Sequence, residues 1–183
     1  MDRVLEDNMN MNEIKNYDRA AHKFYSSQSI SSLPLISWDF HAAHFQKVCK
    51  DHADVFLLKK LAQINKWSTP LEFDEKLIQD ECVIVVTDSH LKIVHATQNI
   101  LEMNGYMPDE IIGKKPKMFQ GKDTCIQTSR EIGQAIRQRK PFEAIVLNYR
   151  KNGSPYKCWI KGEPIYDIYG EVVNFIAYEK EVA

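Results

Sequence analysis

Four residues near the start of the chain carry side chains that commonly bind metal ions: His41, His44, Cys49 and His52. Their segment lacks Gly and Pro and predicts a helix, on which His41 and His52 are about 16 Å apart. One Zn²⁺ holds its ligands at about 2.0–2.3 Å, so the four side chains cannot share an ion. The spacing favours ordinary, partly exposed helix residues. Weak binding by one pair, or across a dimer, is the alternative.

No segment has the pattern of a catalytic motif. Ser, His and Asp occur, but there is neither a nucleophile elbow nor a Gly-rich phosphate loop. Residues 113–121 contain only two glycines, which is too few for a P-loop. The four cysteines, at positions 49, 82, 125 and 158, form no C-x-x-C pair and indicate reduced thiols. The sequence therefore predicts a protein that is not an enzyme.

Composition narrows the range of partners and locations. The 183 residues carry a net charge of −1, which favours neither nucleic acid nor an acidic membrane surface. No apolar run reaches the roughly 20 residues of a membrane span, and the N-terminus has no apolar signal core. We expect a cytoplasmic protein with no nucleic-acid or membrane partner.

The first 70 residues divide into two segments. Residues 1–33 are polar and rich in Asn, Ser and Gln, which predicts a flexible arm. Residues 34–70 predict a helical extension, because Trp38 to Trp67 has recurring apolar positions without Gly or Pro. It is either one helix or two, with a break near Asp51–Asp54.

Residues 71–183 change to short elements with alternating polarity. Two strands, CVIVVTD and LKIVHAT, precede two short helices, the first ended by Gly105. A longer helix, SREIGQAIRQRK, is followed by three strands that two tight turns join as hairpins. This order predicts an α+β domain, with a five-stranded antiparallel sheet and helices on one face, preceded by the helical N-terminal extension.

Motifs at matching places in these elements resemble one family. GKKPKMFQG, residues 113–121, resembles the LOV hallmark Gly-x-Asn-Cys-Arg-Phe-Leu-Gln-Gly, and NYRKNG, residues 148–153, resembles the LOV pattern Asn-Tyr-x-Lys-x-Gly. Residues from about 75 to 182 therefore resemble a PAS domain of the LOV-like subgroup. Several weak motifs that agree with the predicted elements together favour the PAS fold.

In LOV domains a flavin lies between the sheet and the helices, and the hallmark cysteine reacts with it in light. The resemblance places Pro116 at that cysteine and Lys117 at the arginine that follows it. Because proline carries no nucleophile, the resemblance implies a LOV-like domain that lacks the photoreactive cysteine and its adduct.

The positions that hold the flavin ring are kept only in part. Asn148 matches the first of two asparagines and Gln120 is retained, but Cys158 matches the second asparagine and Glu179 a glutamine. An amide both donates and accepts, whereas a thiol offers little and a carboxylate only accepts. We therefore expect no cofactor or an unknown one, with flavin disfavoured. Haem is disfavoured because the helix after the hallmark has no histidine.

Strand alternation predicts which side chains face the helices together with Asn148. A mostly apolar wall with a few polar groups is typical of a small-molecule site, although a filled core has the same pattern. Glu179 would need Lys115 or Lys117 as a partner, or would reach solvent near the strand end. The pocket candidates are Pro116, Lys117, Phe119, Gln120, Val146, Asn148, Cys158, Ile160, Phe175, Ala177 and Glu179.

The opposite sheet face is also apolar and must be covered. PAS domains usually dimerise through this face and the flanking helices, so the resemblance implies a homodimer in which the helical extension covers or borders it. The interface candidates are Ile145, Leu147, Trp159 and Tyr178 on the sheet, and Phe56, Leu57 and Leu61 on the helix.

Together these features predict a sensory or regulatory PAS domain of bacterial-type signal transduction. It would act by sensing a small ligand or by dimer geometry, and pass its output to a downstream signalling protein, unless the chain is part of a longer one. A flavin-binding redox or degenerate LOV protein, and a purely structural dimerisation module, are the alternatives.

Overall fold

The computed structural model describes residues 36–69, 73, 76–77 and 80–182, and the predicted flexible arm, residues 1–33, lies outside them. The elements in chain order are α1 (Ile36–Ile64), β1 (Val83–Asp88), β2 (Ile93–Ala96), α2 (Ile100–Asn104), α3 (Pro108–Ile111), a 3₁₀ helix (Pro116–Phe119), α4 (Ile126–Arg137), β3 (Phe142–Tyr149), β4 (Pro155–Tyr166) and β5 (Val172–Val182). The predicted order of strands and helices is confirmed.

Residues 1–42 and 43–183 form two compact units. The described part of the first is the start of α1, and the second contains the rest of α1 and the whole sheet. Among the described residues, no helix is long and apolar enough to cross a membrane.

The sheet has five antiparallel strands in the order β2-β1-β5-β4-β3. The last strand in the sequence, β5, therefore lies at the centre. The predicted hairpin turns are confirmed: Gly153 and Gly170 have φ of 85° and 83°, a left-handed conformation that glycine adopts without a Cβ clash. Gly105 ends α2 in the same conformation, and its N–H donates to Leu101 O at 2.9 Å.

Side chains on the outer face of the sheet pack under α1. Ile84 and Val86 of β1 and Tyr178 of β5 share a buried cluster with Leu58 and Val55 of α1. The backbone N–H of Gln98 donates to the buried Asp54 carboxylate at 2.7 Å, which joins α1 to the loop after β2. The helical extension therefore covers part of the outer face.

The described part of α1 is a single helix, without the break that was the alternative near Asp51–Asp54. Several apolar residues of α1 do not lie on the side of the helix that is buried. Phe45, Phe56 and Ile64 are exposed, whereas the polar residues Asp51 and Asp54 are buried with Val55 and Leu58. Contacts with the sheet, and with the Gln98 N–H, decide which side of this helix is buried.

Candidate functional site

Alternate residues of each strand form the inner face of the sheet. Val83 and Val85 of β1, together with Cys158 of β4, pack against residues of α2, α3 and the 3₁₀ helix. Phe119 at the end of the 3₁₀ helix is only 2% exposed, and its ring meets Tyr106 edge-on with centroids 5.7 Å apart. This packing places Phe119 beneath the inner face of the sheet.

A cavity of about 110 Å³ lies between this face, the 3₁₀ helix and α4. Most of the pocket residues predicted from the sequence lie on its wall, although their role in binding a ligand stays a prediction. The wall consists of Val85, Thr87, Leu91, Pro116, Phe119, Gln120, Ile132, Ile136, Phe142, Val146, Asn148, Ile160, Phe175, Ile176, Ala177 and Glu179.

Two predicted pocket residues lie elsewhere. Lys117 is exposed and lines a separate outer groove with Lys115, Arg130 and Arg137. Cys158 is buried beside the cavity rather than on its wall, with its Sγ 3.8 Å from Glu179 Oε2. A hallmark position and strand alternation fix the direction of a residue, but not whether a neighbouring side chain covers it.

The polar groups on the wall are Thr87, Gln120, Asn148 and Glu179. Gln120 accepts a hydrogen bond from Ser129 Oγ at 3.3 Å, and its backbone forms an isolated bridge with Asn148. The Thr87 hydroxyl is buried and has no hydrogen-bond partner among the described residues. Buried hydroxyls are usually paired, so this unpaired hydroxyl is an exception.

Thr87 was missed by the sequence reasoning, which applied alternation to the last three strands only. The same alternation in β1 places Thr87 on the face of Val85, and both line the cavity. Ile132 and Ile136 are four residues apart on one face of α4, and this face closes the cavity.

Glu179 differs from both sequence expectations. It is 3% exposed, so it does not reach solvent, and the hydrogen-bond partner of its carboxyl group among the described residues is the Cys158 thiol. Lys115 and Lys117, the expected partners, are exposed. Burial raises the pKa of Glu179 to about 7, against an ordinary value of 4.5, because no cation compensates the lost hydration. Near neutral pH this carboxyl group both donates and accepts.

The cysteines are dispersed. Cys49 and Cys125 are exposed, whereas Cys82 and Cys158 are buried on opposite faces of the sheet. Burial, together with the nearby Glu179 carboxylate, raises the pKa of Cys158, so its thiol keeps its proton. Within the described part of the chain, no group of three or more His, Cys, Asp or Glu side chains could hold a metal ion.

The part of the chain that forms the sheet, α2 to α4 and the cavity matches one protein family. The model of the PAS domain family matches residues 80–182, which is more than half of the chain. The chain belongs to the PAS domain family. Its PAS domain, the part of the chain that matches, contains the whole sheet, α2 to α4 and the cavity.

Similar proteins place this PAS domain near the LOV branch. It is 37% identical to Protein TWIN LOV 1 of Arabidopsis thaliana over half of this chain and 23% of that protein. It is 31% identical to Phototropin-2 of Oryza sativa subsp. japonica over 61% of this chain and 13% of that protein. The match therefore spans less than a quarter of either relative's length.

A solved structure agrees on the fold. The structure described as "Flavin Analogue Sheds Light on Light-Oxygen-Voltage Domain Mechanism" has a TM-score of 0.58 and 24% identity, over 62% of this chain and 86% of that one. This likeness shows the fold alone. The PAS domain is thus a sensory domain of the kind found in signalling proteins, with LOV domains among its relatives.

Proposed function

We propose that this PAS domain senses a small, largely apolar ligand bound in the inner cavity, and acts in signal transduction without light-driven adduct chemistry. The unpartnered Thr87 hydroxyl on an otherwise mostly apolar wall carries the proposal. A buried polar group without a partner costs about 1–3 kcal/mol, and a ligand atom that bonds it recovers that loss. Small-molecule sites combine apolar walls with a few such groups.

Mass spectrometry of the purified protein, native and then denatured, tests this proposal by identifying any bound molecule. Ala177 lines the cavity, so Ala177→Leu should fill part of it and reduce the bound fraction while the fold is kept. Ala53→Leu makes the same change at an exposed position of α1 and should retain the ligand. If neither natural nor added small molecules bind the unmodified protein, the cavity is merely an unfilled part of the core.

Pro116 supports the absence of adduct chemistry. It begins the 3₁₀ helix and lines the cavity, at the position that the hallmark resemblance assigns to the reactive cysteine. Cys158, the cysteine buried on the inner side, keeps its proton and is directed to Glu179. With added flavin, blue light should leave the blue absorption band intact. A band that bleaches in light and recovers in the dark would contradict this part of the proposal.

Flavin binding without adduct formation is the second candidate, favoured by the presence of Asn148 and Gln120 on the wall. The residues fit a flavin ring only in part, because Cys158 lies behind the wall and a carboxyl group replaces one amide. The cavity of about 110 Å³ is also small beside the roughly 300–1,000 Å³ of typical ligand sites. A colourless purified protein that stays colourless after incubation with flavin removes this candidate.

Dimerisation is a separate proposal for the outer face. Ile145 is 56% exposed on β3, and Leu147 and Trp159 beside it are half-buried. Tyr178 lies within the cluster under α1, and Leu61 packs against that cluster. On the exposed side of α1 lie Phe56 and Leu57. We propose that a second copy of the chain packs on the part of this face that α1 leaves exposed. The result is a homodimer whose geometry a downstream protein recognises.

Light scattering tests the dimer. Ile145→Asp should reduce the mass per particle to that of one chain, because a buried carboxylate in the contact is costly. Ile168→Asp, at an exposed position in the β4–β5 turn, is the matched control and should leave the mass unchanged. Deletion of residues 1–68 should expose the cluster under α1 and cause aggregation or another oligomeric state. A monomeric parent protein would refute the proposed contact.

A further inference from the structure

A second groove, of about 280 Å³, opens beside α1 at the end of β5. Residues of α1, α2, β1 and β5, together with Leu77 and Glu81, form its wall. Among the described residues of this wall, five carboxyl groups face two lysines, so this part of the groove is acidic although the whole chain is almost neutral. The carboxyl groups belong to Asp51, Glu81, Glu102, Glu179 and Glu181.

Two of these carboxyl groups are more than nine-tenths buried. Asp51 of α1 is 7% exposed, and it makes neither a hydrogen bond nor an ion pair with any described residue. Glu179 is more buried still, and the Cys158 thiol is its weak partner. Burial raises the pKa of Asp51, Lys47 acts to lower it, and the repulsion of Glu102 and Glu81 acts to raise it. Among the described residues, neither carboxyl group forms an ion pair.

The two lysines of the wall are engaged with other partners. Lys47 forms an ion pair with Glu81 on the rim of the groove. The Lys180 ammonium donates to Asp80 O at 2.9 Å. Glu181 in turn pairs with Arg150 at 2.5 Å. In the part of the chain that the structure describes, the carboxyl groups of the wall without an ion pair are Asp51, Glu102 and Glu179.

The spacing of the acceptors indicates what kind of cation fits. In the described part of the chain, no three acidic side chains are close enough to share one metal ion. Carboxylates that are spread along a groove suit several N–H donors on an extended organic cation, since each charge-assisted hydrogen bond is directional. A bare metal ion needs its ligands around one point.

We propose that this groove binds an organic cation, an ammonium or a guanidinium group, whose N–H donors bond the carboxyl groups of Asp51 and Glu179. The group belongs either to a free amine or to a Lys or Arg side chain of another protein. Asp51 does not line the inner cavity, so a change at Asp51 tests this groove separately from the ligand site proposed above.

Calorimetric titration of the full chain at low ionic strength tests the proposal, with putrescine and N-acetylarginine amide as probes. Asp51→Asn keeps the size of the side chain and should weaken binding about tenfold, because the negative charge that strengthens the hydrogen bond to the cation is lost. Glu179→Gln should weaken it similarly. Asp109→Asn removes one exposed carboxylate on α3, outside the groove, and should change the affinity by less than about twofold.

The probes separate the outcomes. Binding of putrescine supports a free amine as the occupant, and binding of the arginine amide alone supports a protein side chain. Tetramethylammonium carries charge without N–H donors and should bind more weakly than either probe. Equal binding of tetramethylammonium or of Mg²⁺, equal losses in Asp51→Asn and Asp109→Asn, or no binding of either probe would each overturn the proposal.

Discussion

The two faces of the sheet are built from the same strands but are completed in different ways. The outer face is packed by α1, with Leu58 and Val55 on Ile84, Val86 and Tyr178. The inner face leaves a cavity of about 110 Å³, with a buried carboxyl group and an unpartnered hydroxyl on its wall. One face of a sheet can thus provide stability while the other keeps a space lined by unsatisfied polar groups. Selection for stability alone would not favour such a space, because a buried polar group without a partner costs free energy.

The largest expected change in stability is on the inner face, at its largest fully buried side chain. Phe119→Ala should lower the free energy of unfolding by about 3–5 kcal/mol, because it removes a buried ring and enlarges the space beneath the sheet. Urea denaturation measures the change. Ile126→Ala, at an exposed position of α4, is the control and should cost less than about 0.5 kcal/mol. An unchanged stability in Phe119→Ala would mean that the 3₁₀ helix does not pack as described.

The outer face should give a comparable but smaller loss. Leu58→Ala should cost about 2–5 kcal/mol, because Leu58 is fully buried between α1 and the sheet. The neighbouring Leu57 is largely exposed, so Leu57→Ala should cost well under half as much in the same denaturation experiment. Equal costs for the two leucines would show that α1 does not dock on the sheet through this side.

Glu179 makes the inner face sensitive to pH. Because its pKa is raised in the folded protein, the folded state holds the proton more tightly than the unfolded state. Its contribution to stability is complete below about pH 4.5 and is lost as the pH rises through about 7. A shift of this size corresponds to about 3 kcal/mol.

Glu179→Gln should therefore be more stable than the parent protein at pH 8 and should reduce the fall in stability between pH 5 and pH 8. Denaturation at several pH values measures the slope, and exposed Glu131→Gln should leave it unchanged. A parent-like slope in Glu179→Gln would show that Glu179 is ionised in the fold and paired with a cation.

The smallest effect concerns the Thr87 hydroxyl. Thr87→Val replaces it with a methyl group of the same shape, so the ligand-free protein should be unchanged or more stable by about 1 kcal/mol. Thermal melting of ligand-free protein measures the change. Thr97 is also buried, but its hydroxyl accepts from Ile84 N at 2.9 Å, so Thr97→Val should be destabilising. A loss in Thr87→Val equal to that in Thr97→Val would mean that the Thr87 hydroxyl already has a partner.

Much of the inner face follows from local sequence patterns. Alternation places Asn148, Val146 and Ala177 on the side of the helices, and each lies on the cavity wall. Only an extension of the same rule to β1 was needed to find Thr87. Local patterns did not predict that Lys117 is exposed, that Cys158 is covered or that Glu179 is deeply buried. Each of these outcomes depends on which side chains of other elements pack against the residue.

The sequence by itself determined the order of helices and strands, the turns at Gly105, Gly153 and Gly170, and the face of each strand residue, because these depend on backbone geometry within a few positions. Only the tertiary structure decided which side of α1 is buried and that Glu179 is buried beside the Cys158 thiol. Those outcomes depend on contacts between residues far apart in the chain, such as that between Asp54 and the Gln98 N–H, which no local pattern specifies.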